Sequence, residues 1–222
     1  VFISLLNPGI GLVLAFAFLL LWLNQREQTY IAVAAASYTA SAIGFLIQDV
    51  GPPLPYDVHR IASNFGFIAA GYLLAVAVLR RYRLEVPHRL LVAISAAGMA
   101  GLCWFLLVQP SITYRIYSIS GALGAIALLM SAKLYRLEKP RFIDRLLFWL
   151  TLATGINFIL RPMAIFAVIG EVQTYDSPQQ SFYWSTVQFT QAMISVTFAL
   201  NLLVAVATDL INELKQQAYT DK

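Results

Sequence analysis

The stretch Thr154-Gly-Ile-Asn-Phe-Ile-Leu-Arg-Pro162 places a charged residue inside an apolar run that extends from about Leu146 to Ile169. An arginine at that depth in a bilayer costs about 2.5–3.5 kcal/mol on insertion scales. A chain that keeps such a residue normally turns the side chain inward, toward a partner or a wet cavity. We therefore interpret Arg161 as the floor of a pocket, and the rest of the chain as the helical bundle that encloses it.

The overall composition is that of a polytopic membrane protein. Of 222 residues, 59% are hydrophobic and only 12% are charged, and the mean hydropathy is +0.71, whereas a soluble domain carries about 25% charged residues. The single cysteine, Cys103, leaves no intramolecular disulfide and no cysteine-based zinc site. The net charge of +4 does not indicate nucleic-acid binding, because the basic residues lie in short loops between apolar runs.

Seven apolar runs predict seven membrane-spanning helices, since each is close to the ~20 residues needed to cross a bilayer. The runs are Phe2–Leu23, Tyr30–Ile47, Ile61–Leu79, Leu90–Val108, Ile112–Ala132, Leu146–Ile169 and Phe182–Thr208. The predicted fold is therefore all-α: a seven-transmembrane helix bundle with a cytoplasmic signalling helix at its C-terminus.

The loops between the runs alternate in charge. Those after runs one, three and five hold Arg26, Arg80, Arg81, Arg83, Arg89, Lys133, Arg136, Lys139, Arg141 and Arg145. Those after runs two, four and six hold few bases and the acids Asp49, Asp57, Glu171 and Asp176. The preference for Lys and Arg in cytoplasmic loops predicts an outside N-terminus and a cytoplasmic C-terminus.

Polar residues recur on one face of several spans. On span six, Thr151, Thr154, Asn157 and Arg161 follow at intervals of three and four, which places them on one helical face. The topology places the strongest polar residues of five spans in the outer half of the bilayer and leaves the inner half apolar. This predicts an outer pocket, closed below, whose candidate residues are Arg161, Asn157, Gln188, Gln191, Trp184, Asn64, Tyr117 and Tyr38.

The residue types in this set favour one ligand class. A guanidinium group is always charged and suits a carboxylate or phosphate, while aromatic rings supply apolar walls. We expect an anionic or amphipathic small molecule. Two structural interpretations remain open: Arg161 pairs with Glu171 or Asp176 or extends toward the membrane surface, and the amides only hold helices together, at about 0.6 kcal/mol each.

The seventh run continues past Thr208 without Gly or Pro. Apolar residues recur there at spacings of four and three, as Leu200, Val204, Ala207, Ile211, Leu214 and Ala218. This heptad pattern predicts a two-helix stalk and a homodimer, the alternative being a single amphipathic turn on the inner leaflet. We expect residues 1–208 to form the membrane domain and residues 209–222 to be a helical linker to a further domain, since a helix tip makes a poor natural terminus.

The last residues, Ala218-Tyr-Thr-Asp221 and Lys222, resemble the junction upstream of the GGDEF domain in bacterial diguanylate cyclases. That junction has Ala-x-x-Asp followed by Pro/Lys-Leu-Thr-Gly-Leu, and Ala218, Thr220, Asp221 and Lys222 match it. The resemblance implies that this chain is the seven-span sensory input domain, similar to MASE domains, of an inner-membrane protein that controls c-di-GMP synthesis by a dimeric cyclase. The catalytic residues of that family lie outside this sequence, so these residues are not expected to form an enzyme.

Other chemistries lack the residues they need. His59 and His88 fall on opposite sides of the membrane, so they cannot be paired haem or metal ligands, and no cofactor is expected. Span seven has no lysine for a retinal Schiff base. Two alternatives to a sensory function stay open. One is a plain membrane anchor that dimerises the cytoplasmic domain. The other is a small transporter, which should show a polar path through the inner half of the bundle.

Overall fold

The computed structural model describes residues 5–51, 54–170 and 178–220. Within those ranges it contains seven long helices and no strand, which confirms the predicted all-α seven-helix fold. The helices are α1 (Leu6–Asn24), α2 (Thr29–Val50), α3 (Tyr56–Arg81), α4 (His88–Cys103, continued by a π-helical turn over Trp104–Val108), α5 (Ile112–Leu134), α6 (Phe142–Ile169) and α7 (Pro178–Thr220). Each helix is long and apolar enough to span a membrane.

Helix boundaries follow from the residues that flank each apolar run. Pro55 and Pro87 immediately precede α3 and α4, positions at which the missing N–H is not needed by the helix. The hydroxyl of Ser111 accepts a hydrogen bond from the backbone N–H of the first turn of α5. Gly51 and Gly170 end α2 and α6 with positive φ angles of 47° and 79°, which glycine adopts without steric cost.

Six of the helices form a closed ring. Neighbours pack in the order α1, α2, α3, α5, α6 and α7, and α7 returns to α1, while α4 packs outside the ring against α3 and α5. The loops rich in Arg and Lys lie at one end of this ring, which we call the basic end. We call the other end, where α2 meets α3 and α6 approaches α7, the distal end.

Helices α5 and α6 approach each other closely. A Cβ atom added at Gly124 would lie 3.0 Å from the carbonyl oxygen of Gly155 and 2.7 Å from the side chain of Ile159. Small residues allow two helix backbones to approach this closely. The contact fixes how α5 is rotated about its axis, and therefore which of its residues face the interior.

The basic half of the ring is packed solid. Its buried apolar residues form one cluster that includes Phe18, Ile31, Val78, Leu147, Phe198 and Leu202. An interior cavity occupies the space above this cluster toward the distal end. The fold therefore closes one end of the bundle with side chains and leaves the other hollow.

The seventh helix runs without interruption from Pro178 to Thr220. The predicted heptad residues Leu200, Val204, Ala207 and Ile211 all lie on the exposed outer surface of the chain. The side chains of Leu214 and Ala218 lie outside the described part, as do residues 221–222 of the junction. The described part of this heptad pattern therefore forms a continuous apolar stripe on the outside of the helical ring.

Candidate functional site

A cavity of about 210 Å³ lies inside the ring, enclosed by α2, α3, α5, α6 and α7. Its distal part is polar and contains Gln48, Arg60, Asn64, Arg115, Arg161, Tyr183 and Trp184. Its part nearest the basic end is apolar and contains Leu74, Ile126, Ala127, Met130 and Phe198. The cavity thus extends deeper than the outer-half pocket expected from the sequence, because Ala70, Gly71 and Ala127 present little side chain to it.

Arg161 lies in the cavity wall on α6, next to a buried proline within the helix. Its guanidinium carbon is 5.8 Å from the ring centres of both Phe158 and Tyr183. Its Nε atom is buried and has no hydrogen-bond partner among the described residues. Contacts between a cation and an aromatic ring contribute about 0.5–2 kcal/mol, but they leave the N–H donor unused. The wall therefore presents a cation with a hydrogen bond still to give.

The alternative pairing of Arg161 with Glu171 or Asp176 stays open, because both acids lie outside the described residues. Pro162 has a local effect that does not depend on this question. Since proline has no N–H, it removes the helical hydrogen bond to the carbonyl of Phe158. Phe158 itself lines the cavity, so α6 has an interrupted hydrogen-bond ladder at the level of the site.

Two further arginines join Arg161 in the wall. Arg115 on α5 is 8% exposed, and its Nε donates to the carbonyl of Ser111 at 3.1 Å. Arg60 on α3 lies 5.3 Å from the ring centre of Tyr56. Together with Arg161 they bring guanidinium groups from three different helices to one cavity, whereas no acidic residue is among the described lining residues.

Sequence reasoning missed both of these arginines. It placed Arg60 in a loop, because the start of the third span was set at Ile61, but α3 begins at Tyr56. On span five it chose Tyr117 as the pocket residue, which implies that the helical face carrying Tyr114, Tyr117 and Gly121 is turned inward. The structure turns that face away: Tyr114 is 48% exposed, and a Cβ atom at Gly121 would meet nothing within 4 Å.

A periodic signal for the correct faces was present in the sequence. The inward face of α5 repeats at intervals of three and four, as Arg115, Ile119, Ala122 or Leu123, Ile126 and Met130. The inward face of α3 repeats in the same way, as Arg60, Asn64, Phe67, Gly71 and Leu74. Each face combines one arginine with apolar residues, so a search for polar residues alone does not find it.

The sequence-predicted ligand residues divide into two groups. Five line the cavity: Tyr38, Asn64, Arg161, Trp184 and Gln191. Three lie outside its wall: Asn157, Gln188 and Tyr117. Tyr117 contacts the rings of Tyr114 and Phe166. The buried Nδ2 of Asn157 has no hydrogen-bond partner within the described ranges.

Gln188 joins three helices at the distal end. Asn7 of α1 donates through Nδ2 to the backbone carbonyl of Gln188 at 3.0 Å and also to its Oε1. Gln188 in turn donates through Nε2 to Oδ2 of Asp49 on α2, at 2.8 Å. Its side chain is thus fully used in closing the ring between α7, α1 and α2, and this is the structural role that the sequence analysis held open for it.

No protein-family model, curated protein or solved structure matches the chain. The functional argument therefore depends on the chemistry of the site.

A cluster of ionised side chains joins three helices at the basic end, and we call it the clasp. Asp209 on α7 lies 2.7 Å from both Arg81 at the end of α3 and Arg141 at the start of α6. Asp144 lies 3.6 Å from the same two guanidinium groups and accepts a hydrogen bond of 2.7 Å from the hydroxyl of Tyr82. The clasp fixes α7 at the point where it leaves the bundle.

Burial and pairing set the protonation of the clasp. Burial raises the pKa of Tyr82 well above its usual range, and the neighbouring Asp144 raises it further. The hydroxyl of Tyr82 therefore stays protonated and remains a donor. The hydrogen bond to Asp209 raises the pKa of Arg141, so this cation keeps its charge at any physiological pH.

Proposed function

We propose that the chain is a membrane-embedded ligand-sensing domain that binds an anionic or amphipathic small molecule inside its helical ring. The observation that supports this most directly is the position of Arg161. Its charge faces the cavity, its Nε has no hydrogen-bond partner in the part of the chain that the structure describes, and two more arginines lie in the same wall. An anionic group would lie beside these cations and accept the hydrogen bond that the Nε of Arg161 does not use, and such a bond is of the strong charge-assisted type.

In this proposal α7 transmits the signal. It supplies Trp184 and Gln191 to the cavity wall, and it also carries Asp209 of the clasp. A ligand shifts an equilibrium only when it binds two states unequally. Because one uninterrupted helix connects the ligand to the clasp, a shift or rotation of α7 in the cavity would move its cytoplasmic extension.

We extend the proposal to an output on the basis of the resemblance at Ala218–Asp221. The chain would lie in a bacterial inner membrane with its N-terminus outside, and α7 would control a dimeric diguanylate cyclase that makes c-di-GMP. The exposed stripe Leu200, Val204, Ala207 and Ile211 supports pairing of two copies through α7. A reading frame that continues past Lys222 with Leu-Thr-Gly-Leu and a GGDEF sequence is the expected finding, and an unrelated continuation would overturn this output.

The two rival functions make different demands on the structure. A transporter needs a polar path through the bundle, but the described wall ends in Ile126, Met130 and Phe198, with the packed cluster beyond them. A plain anchor needs neither the cavity nor its arginines. The anchor is therefore the competitor that an experiment has to address.

The test measures binding and helix movement in the purified chain in nanodiscs of zwitterionic lipid. Binding of benzoate, n-alkyl phosphates and n-alkyl carboxylates is followed through the melting temperature. Movement of α7 is followed by electron spin resonance between labels at Ala207→Cys and Tyr135→Cys, two exposed positions, in a Cys103→Ser background. We expect at least one anion to raise the melting temperature and change the label distance.

The matched controls separate a sensor from an anchor. Arg161→Gln should abolish both effects, whereas Arg136→Gln, at an exposed arginine of the loop between α5 and α6, should preserve them. An anchor predicts that no anion changes the label distance, and that Arg161→Gln behaves like Arg136→Gln throughout. Either of those results refutes the sensor.

A further inference from the structure

The cavity changes its chemistry along its length. Arg60, Arg115 and Arg161 lie at its distal part, and the opposite part is formed by apolar groups such as Ile126 and Phe198. A compact anion would leave the apolar part empty or filled with poorly bonded water. An uncharged hydrocarbon would leave the buried Nε donor of Arg161 without an acceptor among the described residues. Only an elongated amphiphile matches both parts at once.

The length of the apolar part can be measured along α5. Arg161 and Ser120 lie at about the same level, because Tyr183 is within interaction range of both. From Ser120 to Met130 the helix advances about ten residues, or about 15 Å at 1.5 Å per residue. An extended alkyl chain advances about 1.25 Å per carbon, given C–C bonds of about 1.5 Å. The distance therefore fits a tail of about twelve carbons.

The cavity has a definite end at Met130. This side chain is 3% exposed and belongs to the packed cluster that also contains Leu134, Leu147 and Leu202. Ala127, one turn before it, lines the same part of the cavity with only a methyl group. A longer tail would have to displace packed side chains, which is unfavourable because such a core has no space for additional atoms.

We propose that the cavity selects a single-chain amphiphile with an anionic head and an unbranched tail of about twelve carbons, and that Met130 sets the tail length. The head lies among the three guanidinium groups and the tail points toward the basic end. This inference rests on the proposed ligand-sensing function and specifies its ligand class. It also predicts that a smaller side chain at position 130 and a larger one at position 127 shift the preferred tail length in opposite directions.

The experiment titrates the full chain, in nanodiscs of zwitterionic lipid, with the n-alkyl carboxylates from hexanoate to octadecanoate. The rise in melting temperature should be largest near dodecanoate, and dodecanol, which lacks the charge, should give little. Met130→Ala should move the optimum to longer acids by about two to three carbons, the length of the flexible side chain removed. Ala127→Leu should move it to shorter acids, which keeps the test decisive if Met130→Ala fails to fold.

Met163→Ala is the matched control, because Met163 lies on α6, outside the cavity wall, and is 52% exposed. It should leave the optimum unchanged. A length optimum that does not move with Met130→Ala or Ala127→Leu overturns the role of these residues, while the ligand pocket stands. If benzoate binds but no alkyl carboxylate does, the alkyl-tail part of the proposal is wrong, while the ligand pocket stands. If no anion binds at all, the proposed function falls as well.

A last arm separates a free amphiphile from a bilayer lipid, since both carry an anionic head. The same titration is repeated in nanodiscs in which phosphatidylglycerol replaces part of the zwitterionic lipid. An unchanged dodecanoate response supports the single-chain ligand. Loss of that response through competition shows that a two-chain lipid occupies the site, which overturns the proposal.

Discussion

Arg161 carries a charge into the cavity wall, and its Nε makes no hydrogen bond with the described residues, so its removal should cost the empty protein little. We expect Arg161→Gln to change the melting temperature little, because the lost contacts with Phe158 and Tyr183 are offset by relief of the desolvation of a half-buried cation. The melting temperature without ligand checks this directly. A fall of several degrees, against no change for Arg136→Gln, would show that Arg161 is a structural residue.

Gln188 should behave in the opposite way. Gln188→Leu would remove the side-chain oxygen that accepts from Asn7 and the Nε2 donor to Asp49, while the backbone carbonyl of residue 188 still accepts from Asn7. We expect a cost of about 1–3 kcal/mol, because buried polar groups lose their partner. We expect a clear fall in melting temperature without ligand. Gln191→Leu is the matched comparison on the same helix: it lines the cavity and makes only a 3.4 Å contact with Ser195. Equal stabilities of the two variants would contradict this assignment.

At the scale of the helices, the contact between α5 and α6 determines the shape of the cavity. Gly124→Leu would place side-chain atoms against the backbone of Gly155 and the side chain of Ile159. Because a backbone cannot rotate out of the way, we expect the helices to separate and the melting temperature to fall. Gly121→Leu, one turn earlier and facing open space, is the control and should be tolerated. If the two glycine variants melt alike, the close approach is not what holds α5 in place.

The same contact explains why the interior face of α5 differs from the face chosen from its polar residues. Tyr114 and Tyr117 suggested one side of the helix, but glycine packing turns Arg115 and Ile119 inward instead. Tyr114 stacks with Phe105, and Tyr117 makes an edge-to-face contact with Phe166. A helix is oriented by all its neighbours together, and the aromatic residues of this span find theirs outside the cavity.

At the scale of the whole molecule, the clasp connects the bundle to the helix that leaves it. Asp209→Asn would remove the charge that pairs with Arg81 and Arg141, and Arg81 is a buried cation with 3% of its side chain exposed. We expect a loss of about 1–3 kcal/mol and a broader distance distribution between labels at Ala207→Cys and Tyr135→Cys.

A double-mutant cycle distinguishes the clasp from a general effect of charge. Combining Asp209→Asn with Arg81→Gln should cost less than the sum of the two single changes, because contacting residues are energetically coupled. Asp57→Asn, at an exposed acid near the start of α3, serves as the uncoupled control. If the decreases in melting temperature of the two single variants simply add in the double variant, Arg81 and Asp209 are not energetically coupled.

The sequence by itself determined the seven helices and the presence of a charge among them. Both are local properties. A run of apolar residues specifies a span by its length, and the position of Arg161 within such a run does not depend on how its helix packs. Only the tertiary structure decided that Arg60 and Arg115 share a cavity with it, that Gln188 closes the ring, and that the cavity ends at Met130. The physical reason is that the rotation of each helix about its axis is set by its neighbours, through contacts such as Gly124 with Gly155 that link residues distant in the chain.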